Sequence, residues 1–262
     1  MNLLMKTLKK LSKCSKMKID NFVVTGANSD IGKALIARLS INDQNKILAV
    51  SRSKNTSQSS SSVEYLDNVD LNSEDDLITF SEKVKSTFSD KFVLIHSVGN
   101  FWDHKTLTDT QYGEAVNMMD SHYNTLYGCI KYLIPIFKQL NGGRIIAFSC
   151  NSVGFNYPEM AAFTSAKAAV ETLIKCTANE NSKYGIVANA IALSTIKTEK
   201  VINSKLKKYH NQYITEQELL EVVDNLINAS SLINGNIIRI LKHSEYFYNE
   251  GYFQRNPSIS SD

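Results

Sequence analysis

The sequence predicts an α/β fold: a doubly wound parallel sheet with helices on both faces, three layers in all. Three observations predict it. Short strand-like apolar runs alternate with helical patterns, the first run ends in a glycine-bearing turn that opens a helix, and the chain has 262 residues. About 250 residues suffice for seven strands with their helices in one such domain. Alternation implies parallel pairing, because parallel neighbours need a crossover and the crossover is usually a helix.

In chain order, strand-like runs occupy residues 22–25, 47–51, 92–96, 144–149, 187–192 and 237–241. Each is short and rich in Val, Ile, Leu, Ala or Phe, as strands covered on both faces must be. Helical patterns lie between them at 32–39, 73–88, 110–140 and 164–184. The serine-rich stretch 53–62 reads as a solvated loop, and no internal repeat is present. In an open sheet of this kind ligands sit beyond the carboxyl ends of the strands.

Composition narrows the function classes. Hydrophobic residues make up 43% and charged residues 21%, ordinary values for a soluble globular protein, and no apolar run reaches the roughly 18 residues of a membrane span. The net charge of +3 comes from the first 18 residues, which hold six of the 29 Lys and Arg and no acid; the rest has 23 basic against 26 acidic residues. A mildly acidic body argues against a nucleic-acid surface. In the tail, Leu3, Leu4, Leu8 and Leu11 fall at helical spacing among lysines, which suits a membrane-surface or targeting element. Because Met17 immediately precedes the first strand, residues 1–18 are read instead as a disordered extension or a mis-assigned start, and 19–262 as the domain. Cys14, Cys129, Cys150 and Cys176 lack metal-binding spacing, so no metal is expected, and the thiols are read as reduced in a cytoplasmic protein.

The first strand runs into Thr25-Gly26-Ala27-Asn28-Ser29-Asp30-Ile31-Gly32. Gly26 permits a tight turn close to a pyrophosphate, Gly32 permits close helix packing, and the helix start offers free N–H groups to phosphate. This stretch resembles the TGxxxGxG turn of the short-chain dehydrogenase/reductase family, whose fold is Rossmann-like. Further landmarks follow in order over residues 20–241. Val69-Asp70-Leu71 matches the adenine-contacting segment, Ile95-His96-Ser97-Val98-Gly99 lies where the family has NNAG, Thr198 matches the threonine after the sixth strand, and Lys167 matches the lysine of YxxxK. Asp30 replaces the second glycine, and Leu193-Ser194 replace Pro-Gly.

The resemblance implies a nicotinamide dinucleotide held by Gly26, Asn28, Ser29, Asp30, Ile31, Gly32, Asp70, Leu71, Gly99, Lys167 and Thr198. Arg52, at the end of the second strand where an acid would favour NAD(H), can offer its fork to a 2′-phosphate, so NADP(H) is preferred. It also implies carbonyl reduction with a tyrosine as acid. Here that tyrosine is Phe163, which has no proton to give. The family serine falls on Cys150, with Ser149 one position earlier, and the asparagine falls on His122; Lys167 alone is retained. His122 is either a substitute proton donor or a partly exposed helix histidine. Cys150 is either a reactive thiol or a small buried side chain. Tyr123 and Tyr157 are other groups that could reach a cleft.

The aromatic stretch 246–253 reads as a lid, an oligomer contact or core-edge packing. Two functions follow. One is an NADP(H)-dependent oxidoreductase acting on a small carbonyl, enone or imine, with a non-standard or missing proton donor and assembled as a homodimer or homotetramer. The other is an inactive nucleotide-binding relative with a regulatory or subunit role.

Overall fold

Seven strands, all parallel, form one sheet in the order β3-β2-β1-β4-β5-β6-β7. The computed structural model describes residues 19–54, 59–102, 104–204 and 211–242; the lysine-rich tail and the aromatic stretch 246–253 lie outside them. The strands are β1 (Asn21–Thr25), β2 (Lys46–Val50), β3 (Val63–Leu66), β4 (Val93–His96), β5 (Gly143–Cys150), β6 (Ile186–Leu193) and β7 (Ile237–Ile240). The helices are α1 (Asp30–Leu39), α2 (Glu74–Thr87), α3 (Tyr112–Met119), α4 (Thr125–Gln139), α5 (Ser152–Phe155), α6 (Ala161–Asn181), α7 (Glu199–Ser204) and α8 (Glu216–Ile227). This is the Rossmann-like three-layer α/β/α arrangement.

The layers follow from the strands' two-residue period. In β1, Val23 faces one core and Val24 the other. On Val23's side the sheet is covered by Phe80 and Val84 of α2, Leu133 and Phe137 of α4, and Val170 and Ile174 of α6. On the opposite side Leu35 and Leu39 of α1 and Leu219, Val223 and Leu226 of α8 close the core. Burying such side chains contributes about 1.5–3 kcal/mol each, before the entropy of ordering them.

The structure departs from the sequence-based expectation in several places. β3 and α8 were not anticipated, nor were the short helices α5 and α7. The expected single helix over 110–140 is three pieces, because Asp120–Asn124 forms a π-helical turn between α3 and α4. One extra residue in that turn swings His122 inward, so it is buried, at 4% exposed, rather than partly exposed. Such bulges put a side chain where a regular helix could not. The helix expected over 164–184 starts at Ala161 and ends at Asn181, followed by a 3₁₀ turn at Ser182–Tyr184.

β1 and β4 are neighbours from which the chain winds in opposite directions, so a crevice opens beyond their carboxyl ends. In register there, Thr25 pairs with His96, and further along the sheet Cys150 pairs with Leu193. The site is built on these four strand ends.

Candidate functional site

The β1–α1 turn is a cradle. Gly26 has φ of 76°, and a Cβ there would lie 2.8 Å from the Ser97 carbonyl oxygen. At Gly32 a Cβ would come within 2.1 Å of the Gly26 carbonyl oxygen, so the start of α1 packs directly on the turn. Ser29 locks the two together: its hydroxyl donates to the Gly26 carbonyl at 2.8 Å and accepts the Gly32 N–H at 3.0 Å. Asn28 ties the turn to the end of β2 through its amide, which donates to the Ser53 carbonyl at 3.0 Å.

Beneath this turn a directed chain of hydrogen bonds runs through His96. The Thr125 hydroxyl donates to the Ser121 carbonyl at 3.0 Å. It therefore accepts from His96 Nε2–H at 3.2 Å, and His96 Nδ1 accepts from the Thr25 hydroxyl at 2.9 Å. Burial, helped by the Lys167 charge, lowers the His96 pKa to about 3. His96 is a neutral strut between the turn and the helix that carries His122.

Two cavities open around the cradle, of about 540 and 210 Å³. They share a wall made of Ser29 and residues 97–100. The smaller is bounded by Gly26, Asn28, Arg52, Asp70 and Leu71. Arg52 is exposed, and the Asp70 carboxylate accepts the Asn72 N–H at 3.0 Å. The larger is bounded by Asp30, Ile31, His122, Cys150, Phe163, Lys167 and Thr198, with Phe148, Leu193 and Trp102 making much of it apolar. The residues singled out in the sequence thus gather around one crevice, except Gly32, which lies beneath it, and Tyr123, which lines neither cavity.

Geometry decides what each can do. His122 Nε2 lies 3.1 Å from the Asn100 carbonyl oxygen. A carbonyl only accepts, so Nε2 carries the proton and Nδ1 is bare, buried and without a partner. That orphan costs roughly 1–3 kcal/mol. Burial first, then the Lys167 charge, brings the His122 pKa down to about 2. Its one proton is held by Asn100, so the imidazole is not the substitute donor considered from the sequence.

Lys167 is 7% exposed, and its Nζ donates to the Phe148 carbonyl at 2.8 Å. The ammonium stands 5.7 Å from the Phe163 ring centroid. Burial lowers its pKa to about 8, with Cys150 opposing the shift. Cys150 is half-buried and lines the cavity, not sealed in the core. The Ser149 hydroxyl is spent on the Glu171 carboxylate at 2.8 Å, which Arg239 also meets at 3.5 Å. Tyr157 lines the larger cavity and stacks on Phe155, whereas Tyr123 stacks on Tyr127.

Sequence reasoning missed Ser97, Asn100, Trp102 and the Glu171–Arg239 pair. The register pairing of Thr25 with His96 was the one accessible signal, since adjacent parallel strand ends must share a crevice. Among the described residues no group of three His, Cys, Asp or Glu side chains is placed to hold a metal, and no helix is long and apolar enough to cross a membrane.

Comparison with known proteins agrees with this fold. A family model described as enoyl-(acyl carrier protein) reductase matches residues 29–227. The chain is 32% identical over 115 residues to the chloroplastic NADPH-dependent aldehyde reductase-like protein of Arabidopsis thaliana, covering 43% of this chain and 42% of that one. It is 24% identical over 177 residues to a 3-oxoacyl-[acyl-carrier-protein] reductase of Staphylococcus epidermidis, covering 65% and 72%. Its match spans about half or less of the length of the first curated relatives. Among solved structures, ElxO with NADP bound superposes at a TM-score of 0.75 with 21% identity, covering 85% of this chain and 97% of that one. The 3-ketoacyl-(acyl-carrier-protein) reductase of Brucella melitensis complexed with NADH also gives 0.75, with 18% identity, covering 84% and 96%.

Proposed function

The chain belongs to the short-chain dehydrogenase/reductase family, and on that footing we propose that it is an NADP(H)-dependent oxidoreductase acting on a small carbonyl, enone or imine, with the proton taken from a group other than tyrosine. The observation that carries this is the pair of cavities meeting at Gly99, one bounded by Arg52 and the cradle, the other by Lys167 and an apolar wall.

The residues present fit a dinucleotide. At Gly26 a Cβ would collide with Ser97, so glycine is what lets the turn pack on the end of β4, and α1 begins at the cradle with the N–H groups of its first turn, a setting that favours phosphate. Arg52 is the candidate for the 2′-phosphate, and Asp70 and Leu71 for the adenine edge. Thr198 caps α7 at the far end, where its carbonyl accepts the Ile202 N–H at 2.9 Å. A bound nicotinamide supplies hydride chemistry. The chain then has to orient the acceptor and give its oxygen a proton. Phe163 has none, and that of His122 is committed. Lys167 Nζ holds a proton that ionises near neutrality, and we assign it the donor's role. Curated relatives described as reductases and a structural neighbour with NADP bound support the class; the NADH complex of the Brucella protein leaves the choice of cofactor to Arg52. Homo-oligomeric assembly belongs to the same proposal.

Phe163 and the locked His122 also favour a second reading, a nucleotide-binding relative that does not turn over. Trp102 is the chain's one tryptophan and lines the larger cavity. Titration with NADPH should give saturable energy transfer from Trp102 to the reduced ring. No saturable signal, with no binding by calorimetry, would end both readings.

A further inference from the structure

A third apolar cluster stands apart from the two cores that flank the sheet. Trp102, Met118, Met160 and Ala166 are buried in it, and Tyr157 and Phe163 pack against them. Trp102, Tyr157 and Phe163 also line the larger cavity, as do the rings of Phe101, Phe148 and Tyr213. Several of these rings are held in place. The Trp102 indole N–H donates to the Glu159 carbonyl at 2.6 Å, and the Lys105 N–H donates to the same oxygen at 3.0 Å. Glu159 has φ of 59° and Asn156, in the same loop, 50°. These are left-handed values that side chains disfavour and that persist where the surroundings over-determine them. Tyr157 stacks on Phe155 with planes 9° apart, and Phe163 is met edge-on by His122. The charges around the rings are committed: Lys242 pairs with Glu218 at 2.9 Å, Lys167 is bonded to the Phe148 carbonyl, and Asp30 stands at the cradle.

We infer that the hydride acceptor of this chain is an uncharged aromatic ketone or aldehyde, and that Trp102 is the residue that selects its ring. This rests on the reading above that the larger cavity receives the acceptor. At about 540 Å³ the cavity falls in the range that takes a drug-sized ligand. Thr198 bounds the end assigned to the dinucleotide, and Trp102, Tyr157 and Phe163 bound the part left for the acceptor. Aromatic rings stack or meet edge-on with an affinity beyond the area they bury. Rings already fixed lose little freedom when another is added among them. The acceptor's carbonyl oxygen then faces the Lys167 ammonium, which has N–H groups to donate beyond the one bonded to Phe148. A carboxylate on the ring would find Lys242 already paired and would lose water without compensation.

The test is a ligand-observed NMR titration of the full chain, alone and saturated with NADP⁺. The probes are 2-acetylnaphthalene, its ring-saturated analogue 2-acetyldecalin, and 6-acetyl-2-naphthoic acid. The aromatic ketone should bind about tenfold more tightly than the saturated one, the size of effect that one or two aromatic pairs give. The acid should bind more weakly than the neutral ketone by about as much. Trp102→Leu, which keeps the wall apolar, should bring the aromatic-to-saturated ratio to near one, and Trp102→Phe should restore part of it. A wild-type ratio near one would overturn the inference, as would an unchanged ratio in folded Trp102→Leu or an acid that binds as tightly as the neutral ketone. The wild-type ratio decides the matter even if the leucine variant fails to fold. NADP⁺ binding without discrimination between the rings would defeat this inference alone. Discrimination in a chain that binds no NADP⁺ would defeat the reductase reading and leave ring recognition by Trp102 standing.

Discussion

His122 meets Phe163 edge-on, with ring centroids 5.2 Å apart and planes at 89°. These are the positions where the family resemblance leads one to expect an asparagine and a tyrosine, two groups that move a proton. Here they form a packed ring pair, and the imidazole proton points at Asn100 rather than along a relay. Phe163 and His122 line the larger cavity, and in the reaction proposed above proton delivery falls to Lys167.

Acid should destabilise the chain through its buried histidines. The folded pKa values are about 3 for His96 and about 2 for His122, whereas an unfolded histidine titrates near 6.5. Below that value the unfolded state binds protons the folded state refuses, so stability falls as pH drops from 6.5 toward 3. The slope is about 1.4 kcal/mol per pH unit for each histidine. Urea unfolding at pH 7, 6, 5 and 4 should show a shallower decline for His96→Asn with His122→Asn than for wild type. Parallel declines would mean that these rings titrate normally.

Gly99 and His122 should be coupled. A Cβ at Gly99 would fall 2.2 Å from His122 Nδ1 and Cε1, so Gly99→Ala must push the ring toward Phe163. Overpacking of this kind costs about 1–3 kcal/mol. Adding His122→Ala should recover most of the stability lost on Gly99→Ala, a non-additivity that a thermal double-mutant cycle measures. Strict additivity would place the ring elsewhere.

Cofactor choice should follow charge at the two ends of the cradle. NADPH should bind more tightly than NADH, and Arg52→Ala should remove that difference while sparing NADH. Asp30 puts a carboxylate in the first turn of α1 and on the cavity wall, opposite in effect to the helix dipole for an anion. Asp30→Gly should therefore tighten both cofactors. Calorimetry on the three proteins checks all of this, and equal wild-type affinities would remove Arg52 from the account.

Much of the fold was legible because five of the seven strands are apolar runs buried on both faces, and β7, though an edge strand, is an apolar run as well. β3 was not: Val63-Glu64-Tyr65-Leu66 is an edge strand with one residue exposed, directly after a serine-rich stretch. α8 had a readable signal that went unused, a capping box in which Thr215 and Glu218 satisfy one another's backbone N–H groups. The π turn was beyond periodicity, since one inserted residue leaves the apolar spacing on either side intact. In the site, the family resemblance picked out Lys167, Cys150, His122 and Phe163, which the structure gathers around one cavity. It could not tell that the carbonyls of Asn100 and Phe148 would fix which protons His122 and Lys167 have to offer, or that Glu171 would take the Ser149 hydroxyl. Those depend on main-chain groups, which sequence does not distinguish.

The central claim is that the chain carries out hydride transfer without a tyrosine acid. The most direct measurement is NADPH oxidation against a panel of ketones, aldehydes, enones and imines, for wild type, for Phe163→Tyr and for the triple variant Phe163→Tyr, Cys150→Ser, His122→Asn. A positioned acid is worth roughly 10²- to 10⁴-fold, and groups that act as a unit recover non-additively. The account predicts slow turnover by wild type, a modest gain for Phe163→Tyr, and the triple variant about 10² or more above wild type. Wild type as fast as the triple variant, or no oxidation by any of the three while NADPH binds, would contradict it.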